Sequence, residues 1–268
     1  MTQPLFKKIV IFGVGLIGGS FALALRKAGA VGEVVGFGRS ASNLQQARQL
    51  GIIDRIGQDI AAEVRDADLV LLATPVGQMA ELMARIAPHL GTHTLITDGG
   101  STKSDVVRDA YAQLGSKVAQ FVPAHPIAGA EQSGAAAAGA DLYVGKNVVL
   151  TPLPENSAQS VARVQAAWQA CGANIHQLTH AEHDAVFAAV SHLPHLLSFA
   201  YARAVANCPQ AELARNMAGG SYRDLMRVSG ADADLWKDIF RLNRDFLRDA
   251  ITDYETELQE LKLRFELD

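Results

Sequence analysis

Three glycines near the start of the chain have the spacing of a phosphate-binding turn. Gly13-x-Gly15-x-x-Gly18 follows an apolar run at residues 9–12 and leads into an apolar helical pattern. Gly13 permits a sharp turn, Gly15 lets backbone approach a phosphate because it has no Cβ, and Gly18 lets the helix lie close to its strand. The N–H groups and the dipole of the first helical turn then face the anion. This order of strand, turn and helix predicts dinucleotide binding by Gly13, Gly15, Leu16, Ile17 and Gly18.

The end of the second predicted strand, residues 33–37, suggests which dinucleotide is bound. Sites that prefer NAD place Asp or Glu there to accept hydrogen bonds from the ribose hydroxyls. This chain has Gly38-Arg39-Ser40 instead, and a guanidinium with a hydroxyl suits a 2′-phosphate. The alternative is a solvated Arg39 that begins a helix. We predict NADP, with NAD also accepted, and contacts from Gly38, Arg39 and Ser40.

Two further apolar runs, residues 68–75 and 94–98, predict buried strands of a parallel sheet. Ligands of such sheets bind at the carboxyl ends of the strands. This places Ala73, Thr74 and Pro75 beside the cofactor. Ser101 follows the second run, where it either caps the next helix or contacts a ligand.

His125 ends another predicted strand, residues 120–125. A single histidine is often structural or merely exposed. This one would face the nicotinamide if the strand order is that of a dinucleotide-binding sheet. Histidine titrates near neutrality, which suits proton transfer.

From residue 179 onward the pattern changes to helices with apolar positions at helical spacing, at 181–206 and 232–265. Pro194 is expected to kink the first of them, beside Ser191 and His195. The predicted fold class is therefore α/β. It consists of a Rossmann-type dinucleotide-binding domain at residues 1–178 and an all-helical domain at residues 179–268.

Three histidines near this junction, His176, His180 and His183, raise the question of a metal site. Their spacing fits no zinc signature, and one of them falls in a predicted strand. We expect surface or supporting roles for them and no metal.

The composition of the chain argues against several other classes of protein. The 268 residues carry a formal net charge of −4, which disfavours a nucleic-acid-binding surface. We find no 18-residue apolar span and no secretory signal, and Cys171 and Cys208 are isolated. We expect a soluble, cytoplasmic protein without a disulfide framework.

Nearly the whole chain resembles the prephenate/arogenate (cyclohexadienyl) dehydrogenases of tyrosine biosynthesis. The resemblance rests on the motifs at residues 13–19, 73–75, 98–103, 125–131, 183–184, 191–195 and 219–227. The glycine motif is common to many enzymes, whereas the histidine motifs in this order are specific to this family.

The resemblance implies roles for individual residues. His125 would accept the proton of the substrate's ring hydroxyl, and Ser101 would help to hold that histidine and the hydroxyl. Arg227 would bind a substrate carboxylate, a task suited to a planar bidentate donor. The remaining pocket residues would be Ser191, His195 and, near the entrance, Glu131.

The implied reaction is oxidative decarboxylation of arogenate or prephenate with hydride transfer to NADP⁺. The active site would lie in the cleft between the domains, and the helical domain would form a homodimer. We favour arogenate because Glu131 could face its ammonium group and because NADP use often accompanies arogenate preference in the family. From the positions of the first strand and the last helix we expect neither an ACT regulatory domain nor a fused mutase, and tyrosine feedback, if present, would then act by competition at the active site.

Three alternatives remain at this point. One is an NAD-dependent enzyme that prefers prephenate. Another is an enzyme of the β-hydroxyacid dehydrogenase type, but that group usually relies on a lysine in the helical domain, and residues 179–227 contain none. The third is an inactive NADP-sensing protein, which the joint presence of His125, Ser191, His195 and Arg227 disfavours.

Overall fold

The computed structural model describes residues 3–129 and 132–267. The chain divides into two compact units, Met1–His183 and Asp184–Asp268. The strands are β1 Phe6–Phe12, β2 Val31–Phe37, β3 Arg55–Ile56, β4 Leu69–Leu72, β5 Leu95–Asp98, β6 Ala124–Pro126, β7 Asn147–Leu150 and β8 Asn174–Gln177. The first helices are α1 Leu16–Lys27, α2 Ala41–Gln49, α3 Ile60–Arg65, α4 Met79–Ile86, α5 Ser104–Leu114, α6 Ala158–Ala170 and α7 His180–Phe187. The later helices are α8 Leu193–Ala206, α9 Ala211–Asn216, α10 Gly220–Ser229, α11 Ala233–Leu242 and α12 Arg244–Leu267.

The main sheet of the first unit has the strand order β3-β2-β1-β4-β5, with all neighbours parallel. Phe12 of β1 lies opposite Phe37 of β2 on one side and Leu72 of β4 on the other. The carboxyl ends of the three central strands therefore meet at one edge of the sheet. This is the strand order of a dinucleotide-binding domain, and it confirms the predicted Rossmann-type fold.

A second sheet carries the segment that includes His125. Its order is β6-β7-β8, with β6 antiparallel and β8 parallel to β7. The predicted strand at 120–125 was wrong in its bounds, because residues 115–120 form a 3-10 helix. Phe121 bridges Ile96 of β5, and the chain then passes through Pro123, which has no N–H to donate, before entering the second sheet.

The core of this unit lies where α1 packs against α6. Phe21 of α1 lies 4.6 Å from Trp168 of α6 between ring centroids, and Tyr143 meets the same indole edge to face at 5.3 Å. All three side chains are buried. The Tyr143 hydroxyl donates a hydrogen bond of 2.6 Å to the carbonyl of Ile17, which fixes the first turn of α1.

The predicted helix at 181–206 is present, but its turns are not uniform. A π-helical segment, Ala188–His192, separates α7 from α8, and the N–H of Leu193 donates to the carbonyl of Ala188. Pro194 lacks an N–H, and its ring crowds the carbonyl one turn earlier. The wider π turn absorbs this conflict directly before the proline, where a kink was predicted.

The predicted single helix at 232–265 was wrong, because α11 and α12 are separate helices with Asn243 between them. Asn243 has a ψ of 29°, outside the helical range, and is 2% exposed. Its side-chain amide donates to the carbonyl of Asp184 at 2.8 Å and lies 2.9 Å from Nδ1 of His192. These contacts stabilise the break between α11 and α12. The periodic apolar pattern of the sequence does not indicate them.

One helical stretch among the described residues, His180–Ala206, is long and apolar enough to cross a membrane by length and composition. The most apolar 18-residue segment of this stretch has a mean hydropathy of 1.3, and 22% of that segment is buried within the structure. The expectation that no such span occurs was therefore wrong, since scattered Ser, His and Pro residues do not lower the mean enough. A single stretch of this kind does not define a membrane protein, because core and interface helices of other proteins meet the same criteria.

Candidate active site

The glycine turn after β1 has the geometry that its sequence predicted. Gly13 has a φ of +95°, and a Cβ placed on it would lie 2.3 Å from the carbonyl oxygen of Ala73. A Cβ on Gly18 would lie 2.2 Å from the Gly13 carbonyl and 2.8 Å from Cγ2 of Ile11. Larger residues would therefore push the turn away from β4 and the helix away from its strand.

The space in front of this turn fits the pyrophosphate of a dinucleotide. A Cβ on Gly15 would meet nothing within 4 Å, and Gly15 begins α1 without a side-chain cap. The first N–H groups of α1 are thus available to an anion. Thr74, after β4, has a buried hydroxyl without a hydrogen-bond partner among the described residues. The predicted neighbours Leu16, Ile17 and Ala73 are half-buried, and Pro75 is exposed.

The three residues of the loop after β2 were all predicted to contact the cofactor, but they have different roles in the structure. Ser40 is the N-cap of α2, and its hydroxyl accepts a hydrogen bond from the N–H of Asn43 at 3.2 Å. That hydroxyl is therefore partly committed to the helix. Gly38 and Arg39 are exposed, and Arg39 forms no ion pair with any residue that the structure describes. Its guanidinium is therefore available to an anion.

His125 lies in the middle of β6, opposite Val149 of β7, and is half-buried. Its Nδ1 lies 2.8 Å from Nε2 of His183, and the two rings meet edge to face with centroids 5.0 Å apart. His183 is fully buried, which agrees with the predicted supporting role and rules out the surface role. A buried imidazole in contact with the candidate base was the main feature of the site that sequence reasoning missed.

A buried ion pair ties the strand of His125 to the loop of Ser101. Asp98 and Lys103 are both 0% exposed, and Nζ of Lys103 lies 2.5 Å from Oδ2 of Asp98. The same oxygen accepts a hydrogen bond from the N–H of Gly100, and Oδ1 accepts one from the N–H of Ala124 at 2.9 Å. One carboxylate thus fixes the residue before His125 and the residue before Ser101.

Ser101 itself is half-buried, and it does not cap α5, whose N-cap is Lys103. The helix-capping alternative was therefore wrong. No hydrogen bond joins the side chains of Ser101 and His125 in the described part of the chain. The sequence signals for the buried ion pair of Asp98 and Lys103 were an Asp that ends a buried strand and a Lys five positions later.

In the second unit, Ser191 and His195 are joined through the backbone. Nδ1 of His195 lies 2.9 Å from the carbonyl oxygen of Ser191. Because a carbonyl only accepts, Nδ1 carries a proton, and in the neutral ring Nε2 then keeps its lone pair. Burial lowers the pKa of His195, and the bond to the Ser191 carbonyl opposes that shift. The ring stacks on Trp236 with centroids 3.5 Å apart, a contact that sequence reasoning missed.

Arg227 lies in the last turn of α10 and is exposed. It forms no ion pair with another side chain in the ranges 3–129 and 132–267. Its planar guanidinium is therefore available to a carboxylate. Glu131, the remaining predicted pocket residue, lies outside the described residues.

The three histidines tested as metal ligands have three separate partners. His176 contacts Asn147, His180 contacts Ser104 and His183 contacts His125. Within the described ranges no group of three His, Cys, Asp or Glu side chains could hold a metal ion.

A parallel sheet with a phosphate-binding glycine turn, followed by a helical unit, defines the class of NAD(P)-dependent oxidoreductases. A family model of the prephenate dehydrogenase nucleotide-binding domain matches residues 21–177, and one of the prephenate dehydrogenase dimerization domain matches residues 179–266. The chain therefore belongs to the prephenate dehydrogenase family, as its motifs predicted.

Individual relatives agree with this assignment. Cyclohexadienyl dehydrogenase of Zymomonas mobilis is 34% identical over 97% of this chain and 89% of its own length. The crystal structure of A. aeolicus prephenate dehydrogenase with hydroxyphenyl propionate and NAD⁺ gives a TM-score of 0.89 at 34% identity, covering 98% of this chain and 92% of its own. Arogenate dehydrogenase of Synechocystis gives a TM-score of 0.83 at 29% identity, covering 97% and 92%. The enzyme assignment is thereby confirmed.

Proposed function

We propose that the protein catalyses oxidative decarboxylation of arogenate, and of prephenate less efficiently, with NADP⁺ as the preferred oxidant. The observation that carries the proposal is the half-buried His125, held by a second imidazole in a strand that Asp98 ties to the Ser101 loop. A nicotinamide bound at the glycine turn would supply the acceptor for the hydride from the hydroxyl-bearing ring carbon.

The side chains of this chain would move one proton and bind one carboxylate. His125 would take the proton of the ring hydroxyl as that carbon is oxidised, with Ser101 orienting the hydroxyl. Loss of carbon dioxide leaves its bonding electron pair in the ring, which becomes aromatic, and the ring oxygen recovers a proton. Arg227 would bind a substrate carboxylate, while Ser191 and His195 would contact other polar groups of the substrate.

Kinetics with both substrates tests the preference. Arogenate differs from prephenate by an ammonium in place of a keto oxygen, and the carboxylate of Glu131 would complement that ammonium. We expect a higher kcat/KM for arogenate and a loss of the difference in Glu131→Gln. An equal or higher kcat/KM for prephenate in the unmodified protein would contradict the preference.

Arg39 is expected to set the choice of cofactor. A hydrogen bond to a charged group contributes about 1.5–3 kcal/mol, or roughly one to two orders of magnitude in affinity. Arg39→Ala should therefore raise KM for NADP⁺ by about 10- to 100-fold and leave KM for NAD⁺ nearly unchanged. Arg48→Ala, which removes another exposed arginine from the end of α2, is the matched control. Equal or better turnover with NAD⁺ in the unmodified protein would refute the proposed preference.

We also propose a homodimer that uses one face of α12. Tyr254, Leu258, Leu261 and Phe265 recur at spacings of four, three and four residues, and all are exposed. Such spacing places them on one face of the helix. The match to a dimerization domain over residues 179–266 supports a second copy as their cover.

Charged substitutions on this face should dissociate the dimer. Burying a leucine contributes about 1.5–3 kcal/mol, so Leu258→Glu with Leu261→Glu should yield monomers at micromolar concentration. Leu263→Glu changes an exposed leucine of the same helix that lies on the opposite face, and it should leave the mass in solution unchanged. A monomeric unmodified protein, or a double variant that remains dimeric, would count against this interface.

A further inference from the structure

One partner of His125 is an imidazole that has no access to solvent. His183 lies in the first turn of α7, where its backbone N–H donates to the carbonyl of Thr179 at 2.9 Å. Its side chain is 0% exposed, and its Nε2 lies 2.8 Å from Nδ1 of His125. Burying a polar ring is costly unless its nitrogens are hydrogen-bonded. The contact between the two rings is therefore a specific hydrogen bond and fixes both of them.

Only one arrangement of protons in this pair leaves His125 able to act as a base. A neutral imidazole has one N–H and one nitrogen with a free lone pair. If His183 donates to Nδ1 of His125, then Nε2 of His125 carries the proton and has no lone pair to offer. If Nδ1 of His125 donates to His183 instead, Nε2 of His125 is free to accept a proton.

We propose that His183 is a positioning residue that holds His125 in the tautomer protonated at Nδ1. The proposal rests on the proposed function, in which His125 takes the proton of the substrate hydroxyl. When that proton binds Nε2, His125 becomes an imidazolium, and its Nδ1–H continues to donate to Nε2 of His183. The proton returns to the ring oxygen as the product becomes aromatic, so the pair ends as it began.

The choice of an imidazole as the partner has a chemical consequence. A carboxylate at this place would favour the charged form of His125, so a larger fraction of the resting enzyme would already hold the proton near neutrality. An imidazole nitrogen that accepts the hydrogen bond fixes the ring orientation and the tautomer without placing a carboxylate beside the ring. His183 therefore orients the base while leaving it ready to accept.

Two substitutions separate this role from simple packing. His183→Gln places an amide oxygen near the position of Nε2 and keeps an acceptor, whereas His183→Phe keeps the volume and removes the acceptor. We expect His183→Phe to lower kcat by about 10- to 100-fold, by analogy with the loss of partners that orient metal-binding histidines, with KM for the substrate little changed. His183→Gln should recover most of that loss. His180→Gln, an exposed change in the same helix, is the control and should behave as the unmodified protein.

Imidazole nitrogen NMR of the full-length protein measures the tautomer directly. We expect His125 to be protonated at Nδ1 in the unmodified protein and in His183→Gln, and to lose that preference in His183→Phe. A proton on Nε2 of His125 in the unmodified protein would overturn the proposal, as would full kcat in a folded His183→Phe variant. If the tautomer is as expected but neither arogenate nor prephenate is turned over, the proposed function fails while the assignment of His183 as the tautomer-fixing partner stands.

Discussion

His125→Asn is expected to lower kcat by roughly 10²- to 10⁴-fold and to leave KM for the substrate comparatively unchanged. Asparagine keeps a polar side chain in β6 and can still contact His183, but it cannot take a proton at neutral pH. The lost interaction belongs to the transition state, because the ring hydroxyl gives up its proton only as the carbon is oxidised. Steady-state kinetics with saturating cofactor measures both constants.

The matched control for this variant is His176→Asn. His176 is an exposed histidine in β8 whose Nε2 contacts the side chain of Asn147, so its loss should not affect kcat. A His125→Asn protein that folds and retains near-normal kcat would show that another group is the base. A similar fall in both variants would point to damage to the second sheet instead.

Arg227→Ala is expected to act on binding. A carboxylate held equally in the bound substrate and in the transition state contributes to KM and little to kcat. Loss of a bidentate charged contact should raise KM by about 10- to 100-fold. Arg227→Lys should recover only part of this, because an ammonium keeps the charge but loses the planar pair of donors.

Arg241→Ala serves as the control in the same helical unit. Arg241 is exposed and pairs with Asp238 at 3.6 Å, so its removal changes the net charge equally without touching the proposed carboxylate contact. An unchanged KM in Arg227→Ala, or an equal rise in Arg241→Ala, would contradict the role assigned to Arg227.

The sequence predicted the parts of the fold that depend on neighbouring residues. The turn at Gly13 and the tight approach of Gly18 to its strand follow from local spacing, and the structure confirms both. The β2 loop was also placed correctly, although capping of α2 by Ser40 leaves Arg39 as the free group. Each of these features depends only on a strand, the turn after it and the helix that follows, which are adjacent in the sequence.

Contacts between distant parts of the chain could not be predicted in this way. The partner of His125 is 58 positions away in sequence, and the buried Asp98 accepts a hydrogen bond from Ala124, 26 positions away. The break at Asn243 depends on Asp184, 59 positions away. Periodicity and motif spacing describe one element at a time, so a buried partner supplied by another element leaves no local signal.

The most direct test of the central claim is the stoichiometry of turnover. The unmodified protein should be incubated with arogenate and NADP⁺, and separately with prephenate and NADP⁺. Reduced cofactor, carbon dioxide and the aromatic product (tyrosine or hydroxyphenylpyruvate) should then be measured in the same sample. Oxidative decarboxylation predicts equal amounts of all three. Cofactor reduction without carbon dioxide, or no turnover of either substrate with NADP⁺ or NAD⁺, would contradict it.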